Sequence, residues 1–147
     1  MNEQEFKRRT KQLALRVIRL VEALPQNRSA DVIGKQLLRS ATSVGANYRA
    51  ACRGKSIADV IAKLSIVEEE ADESLYWLEL LIESRLIPAE RLRSLMSETN
   101  EILSMTVASI KTLRNKSKQS KNLKSKIQEV LPKIPQSKIQ NPKSKIE

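Results

Sequence analysis

Two kinds of side chain in this sequence are spaced for chemistry: cations in its first third and carboxylates near its middle. Lys7, Arg8, Lys11, Arg16 and Arg19 come first, and Arg39, Arg49, Arg53 and Lys55 follow. Arg8 and Lys11 are i, i+3 neighbours, as are Arg16 and Arg19, so on a helix each pair shares a face and a basic ridge results. Arginines and lysines on a rigid helix contact phosphates before they contact base edges, which makes binding tolerant of sequence and sensitive to salt. Aromatics are 3% of the chain, and no interleaved aromatics offer a platform for base stacking.

The carboxylates are Glu68, Glu69, Glu70, Asp72 and Glu73. Glu69 and Glu73 at i, i+4 have the spacing to share an ion, but a di-metal site in a helical bundle draws on Glu-x-x-His pairs, and the chain has no histidine. The same absence removes Ser-His-Asp and Cys-His nucleophile systems. One cysteine, Cys52, is too few for a thiolate zinc site or an intrachain disulfide, and reads as a small apolar residue in a reducing compartment. The three glycines, at 34, 45 and 54, stand in unrelated contexts and build no phosphate loop. The residues therefore predict a binding protein rather than an enzyme, with no catalytic site, no metal and no cofactor.

Charge is distributed in blocks. Residues 1–55 carry 12 Lys/Arg against 4 Asp/Glu, residues 56–113 carry 5 against 11, and residues 114–147 carry 10 against 2. A chain that is basic, then acidic, then basic can bind an acidic partner, or can pair its own surfaces between subunits. In the second case Glu69, Glu70, Glu73 and Trp77 would form a subunit interface with the basic first and second helices of a neighbour. Mid-helix carboxylates must face solvent or a basic surface of another helix or subunit.

Four apolar series must position these groups. Phe6, Leu13, Val17, Leu20, Val21 and Leu24 step mostly by 3 or 4, and Pro25 ends the run. Ser29 and Asp31 compete as N-cap of a second helix, whose face is Ile33, Leu37, Ala41, Val44, Tyr48 and Ala51. Its middle, Ser40 to Ala46, is small-chained. Gly45 there costs roughly 1 kcal/mol against alanine, offset by close approach of a neighbouring helix, unless the segment breaks in two. Gly54 is a natural stop. Ser56-Ile57-Ala58-Asp59 opens a third helix with a capping-box pattern, and its face runs Ile57, Ile61, Leu64, Val67, Ala71, Leu75, Leu78 and Ile82. Pro88 suits the first turn of a fourth helix, carrying Leu92, Leu95, Met96, Ile102, Leu103, Ile110 and Leu113, with Thr99 and Thr106 on the same stripe. The prediction is all-α: an antiparallel up-and-down four-helix bundle over 1–113, followed by a disordered, basic, low-complexity tail over 114–147, in which Leu123, Ile127, Val130 and Leu131 suit a short amphipathic turn or two and Pro132, Pro135 and Pro142 oppose a long helix. No apolar run reaches membrane-span length and the N-terminus is charged, so a cytoplasmic protein away from the membrane is expected.

The stretch Gln36-Leu37-Leu38-Arg39-Ser40-Ala41-Thr42-Ser43-Val44-Gly45-Ala46-Asn47 resembles bacterial four-helix-bundle proteins encoded in intervening sequences of 23S rRNA genes. Arg53 to Asp59, Ala71 to Leu81 and Ala108 to Thr112 match too, and the likeness spans about residues 5–114, leaving out the tail. The resemblance implies a four-helix protomer assembled as a homopentamer. The same superfamily includes the accessory variability determinant of diversity-generating retroelements, which implies nucleic acid (RNA, DNA or a hybrid) and a reverse transcriptase as partners. Membership of a family carries fold further than function.

Overall fold

The computed structural model describes residues 1–130. Four helices follow in order: α1 (Glu3–Glu22), α2 (Arg28–Cys52), α3 (Ile57–Glu83) and α4 (Ala89–Val130). The chain divides into two compact units after Leu113. The first is the bundle; Arg114–Val130, the C-terminal part of α4, belongs to the second.

Paired residues give the direction of each helix. Phe6 packs at a tilt against Tyr48 with ring centroids 4.4 Å apart, Thr10 faces Gly45, and Val21 and Leu24 face Gly34. Numbers rise along α1 as they fall along α2. Ser40 meets Ser74, while Ala51 shares a cluster with Leu64, so α2 and α3 are antiparallel as well. Leu64 also clusters with Ile110, and Arg9 reaches Glu98 while Arg16 reaches Ser94. The bundle is thus antiparallel and up-and-down, with α4 closing against both α3 and α1.

The interior follows the predicted faces. Leu13, Val17, Leu37, Ala41, Val44, Val67, Ala71, Leu78 and Ile102 are completely buried, and such a core supplies most of the folding energy at about 25 cal/mol per Å² of apolar surface. Leu81, also fully buried, widens the α3 face beside the expected series, while Ile57 at its start is 38% exposed. Gly45 does not break α2. A Cβ there would lie 3.3 Å from Thr10 Oγ1, so the glycine is explained by the close passage of α1.

The caps correct one expectation. Asn27, rather than Ser29 or Asp31, caps α2, its Oδ1 accepting from Ala30 N at 2.8 Å. Asn27 already has the extended backbone an N-cap needs, and so the helix begins earlier. Ser56 caps α3 as expected, accepting from Asp59 N at 3.1 Å, while the Asp59 carboxylate accepts from Lys55 N. Pro88 stands immediately before α4, its carbonyl accepting from Arg91 N. Gly54 follows the end of α2 without a positive φ; a Cβ would meet Val60 Cγ2 at 2.4 Å, so its requirement is space.

The second correction concerns the tail. Residues 114–130 are helical, a continuation of α4, where disorder was expected. This stretch is free of glycine and proline and carries five Lys, one Arg and two Gln, all good helix formers. The expectations for 131–147, including the effect of the three prolines, lie outside the described residues.

Arg85 ends α3 with φ 62°. Arg85 N donates to Ile82 O at 2.9 Å and Leu86 N to Leu81 O at 3.0 Å, the Schellman arrangement in which glycine is the usual occupant. An L side chain in the left-handed region costs about 1 kcal/mol, so Arg85→Gly is expected to stabilise the protein by about that much. A rise of a few degrees in the thermal midpoint is the measurement; an unchanged or lowered midpoint contradicts this account of the turn.

Candidate nucleic-acid interface

Close packing of α1 on α2 leaves a groove of about 630 Å³ along their outer side. Its lining is Gln4, Lys7, Arg8, Thr10, Lys11 and Ala14 from α1, with Thr42, Gly45, Ala46 and Arg49 from α2. Lys7 and Arg8 share one turn of α1 and Lys11 lies one turn on, while Arg49 stands opposite, one turn beyond Gly45. The short side chains make a low floor between two cationic walls. Thr10 and Thr42 turn their hydroxyls onto their own helices, to Lys7 O at 3.1 Å and Leu38 O at 2.7 Å. Among the described residues no carboxylate lines the groove. Lys7 pairs with Glu3 at 2.9 Å, an exposed i, i+4 contact of little energetic weight. Arg8, Lys11 and Arg49 enter no ion pair among the described residues.

The groove therefore collects four of the nine predicted cationic site residues. Arg53 lies one turn beyond Arg49 as the C-cap of α2, and Lys55 follows in the turn to α3. Arg19 is exposed on α1 outside the groove lining. Arg16 turns toward α4 and donates to Ser94 Oγ at 3.0 Å.

Arg39 is spoken for. Its guanidinium bonds to Glu70 at 3.2 Å and pairs with Glu73, all within one chain. Glu70 and Glu73, proposed from sequence for a subunit interface, thus serve a contact between α2 and α3. Trp77 is half-buried against the core, with a buried indole Nε1 that has no hydrogen-bond partner among the described residues; Glu69 is exposed. Arg9 behaves like Arg39: with a side chain only 12% exposed, it is paired with Glu98 and lies 3.1 Å from Glu101. Cys52 is a half-buried free thiol. Burial pushes its pKa up, the opposite of what activates a cysteine nucleophile.

A second recess, of about 730 Å³, sits at the α1–α2 turn. It mixes Glu22 and Asp31 with Arg28 and Lys35, so it has no consistent preference for an anion. Among the described residues no group of three or more Cys, Asp or Glu side chains is placed to hold a metal ion, and no helix is long and apolar enough to cross a membrane.

The fold and the groove define an antiparallel four-helix bundle with one cation-lined outer groove. The family model for 23S rRNA-intervening sequence proteins matches residues 2–108, and the chain belongs to that family. The match ends short of Arg114. Among solved structures, the chain is similar to a protein of unknown function from the S23 ribosomal protein family of Bacteroides thetaiotaomicron. The two are 39% identical with a TM-score of 0.70, over 76% of this chain and 99% of that one. No curated protein matches.

The cluster on α2 and α3 carries a pH prediction. The hydrogen bond from Arg39 holds the Glu73 carboxyl below the usual glutamate range, so its contribution is in place above the unfolded value and is lost as pH falls through the lower folded value. Burial raises the Glu70 carboxyl despite Arg39, so ionised Glu70 costs stability that protonation returns. Glu73→Gln should consequently destabilise the protein more than Glu70→Gln at neutral pH, with the gap narrowing below about pH 4, near the ordinary glutamate value. Denaturant midpoints of the two variants across that range test the signs; an equal or reversed order at neutral pH rejects them.

Proposed function

We propose that this chain is a non-enzymatic, cytoplasmic, oligomeric nucleic-acid-binding protein whose α1–α2 groove takes a phosphate backbone. The observation that carries this reading is the groove itself, in which Lys7, Arg8, Lys11 and Arg49 converge and no carboxylate interrupts. Phosphates suit such a site because the contact is charge-assisted and needs no fixed base geometry. Among the described residues no aromatic side chain lines the groove, so stacked single strands are a poorer fit than structured RNA or an RNA–DNA hybrid, and no sequence code is expected. The family's link to 23S rRNA genes is compatible with an RNA partner. Assembly as a homopentamer, implied by resemblance, would repeat the groove five times and multiply the field. Service as an accessory subunit of a retroelement reverse transcriptase is a special case of this reading.

The alternative is a structural module whose charged faces pair between subunits without nucleic acid. One observation disfavours its original form, since Glu70 and Glu73 already meet Arg39 of their own chain.

Mobility shift of a structured RNA at rising salt tests the proposal. Each phosphate contact contributes roughly 0.9 to the slope of log affinity against log salt. The triple variant Arg8→Gln, Lys11→Gln, Arg49→Gln should flatten that slope by about 3 and weaken binding at least tenfold at low salt. Absence of binding at low salt, or binding that ignores both salt and these substitutions, would overturn it.

A further inference from the structure

The helical segment Arg114–Val130 belongs to the second compact unit and lies beyond the family match. It carries six cations and one carboxylate, Glu129. Leu123, Ile127 and Val130 stand 60%, 50% and 57% exposed at i, i+4 and i+7, one narrow apolar stripe. At about 3.6 residues per turn, Lys124 and Lys126 fall on either side of that stripe and Lys116 in line with it, one turn or more earlier. A polycation alone would suit phosphates, but a phosphate backbone offers nothing to an exposed aliphatic stripe.

The outer face of α3 offers both. Glu69, Asp72, Tyr76, Glu79 and Glu83 recur at i, i+3, i+7, i+10 and i+14 and are all exposed. Tyr76 at their centre is 52% exposed, its ring edge-on to Trp77 with centroids 5.1 Å apart. Half-buried Leu80 lies one turn on. Unlike Glu70 and Glu73, the four carboxylates of this face form no ion pair among the described residues. An apolar strip bordered by unpaired carboxylates is the complement, in sign and in apolar content, of an aliphatic stripe bordered by lysines.

We propose that Arg114–Val130 is a docking arm, and that it lies on the outer α3 face of a second copy of this chain, with Leu123, Ile127 and Val130 against Tyr76 and Leu80 and the lysines against Glu69, Asp72, Glu79 and Glu83. The contact is separate from the α1–α2 groove. It joins copies of the chain and leaves the groove's cations for another partner.

Charge reversal on the full chain tests it by sedimentation velocity over a concentration series at low and high salt, with helicity followed by circular dichroism. Lys124→Glu with Lys126→Glu, and separately Glu69→Lys with Glu79→Lys, should each weaken self-association roughly tenfold, the size of a close charge-pair coupling. A chain carrying all four reversals is complementary again and should regain it. Leu123→Ser with Ile127→Ser should weaken it without changing charge. Arg8→Gln, in the groove, should leave it unaltered, so failure here is distinguishable from failure of the nucleic-acid reading. The proposal is overturned if neither single reversal moves the association, or if the fourfold variant stays as weak as its parents. Loss of RNA retention by the arm variant with self-association intact also overturns it, because the arm would then serve nucleic acid.

Discussion

The approach of α1 to α2 at Thr10 and Gly45 is the constraint on which the rest of the structure depends. A Cβ at Gly45 would already crowd Thr10, so the two backbones are as near as their side chains permit. That proximity places Lys7, Arg8 and Lys11 beside Arg49 across a floor of Ala14, Thr42, Gly45 and Ala46. Larger residues would fill the floor and part the walls. The glycine's helix penalty of roughly 1 kcal/mol is thus tied to the groove as well as to the core.

Ion pairing inside the chain then sorts the cations. Arg9 is fixed to α4 and Arg39 to α3, each pinning one pair of helices. Within the α1–α2 groove, Arg8, Lys11 and Arg49 enter no ion pair among the described residues and face outward together. Net charge alone does not distinguish these groups. Their helical phase does: Arg9 and Arg16 turn to α4, whereas Lys7 and Lys11 sit on the flank shared with α2.

This division explains how far the sequence could be read. Helix number, direction and most of the core were legible, because residues such as Leu13, Val17, Leu37, Val44, Val67 and Leu78 keep a helical period and end up fully buried. Arg39 was not legible as an internal pin, since its partners lie 31 and 34 residues away and only the register of α2 on α3 brings them together. The groove floor was half legible: the small-residue run from Ser40 to Ala46 marked a close approach, but which helix came near it was a tertiary matter. Asn27 was passed over in favour of later polar residues, and Arg85 carried no signal at all, because nothing local marks an arginine for a left-handed turn. The helix over 114–130 was missed because its lysine and serine content resembles disordered sequence, whereas its lack of glycine and proline decides otherwise.

Five polar side chains, Thr10, Ser40, Ser74, Thr99 and Thr106, are buried in the bundle. Each hydroxyl lies within hydrogen-bond distance of a carbonyl three or four residues earlier on its own helix. Buried polar groups usually resist sliding of one helix along another, because movement strands a donor from its mate. For Thr10, Thr99 and Thr106 the acceptor travels with the donor, whereas Ser74 also reaches Ser40 at 2.9 Å across α2 and α3, and that one buried contact ties the register of two helices. Alignment of the four rods therefore rests on shape, on this single serine pair in the interior and on the arginine pairs at the rim.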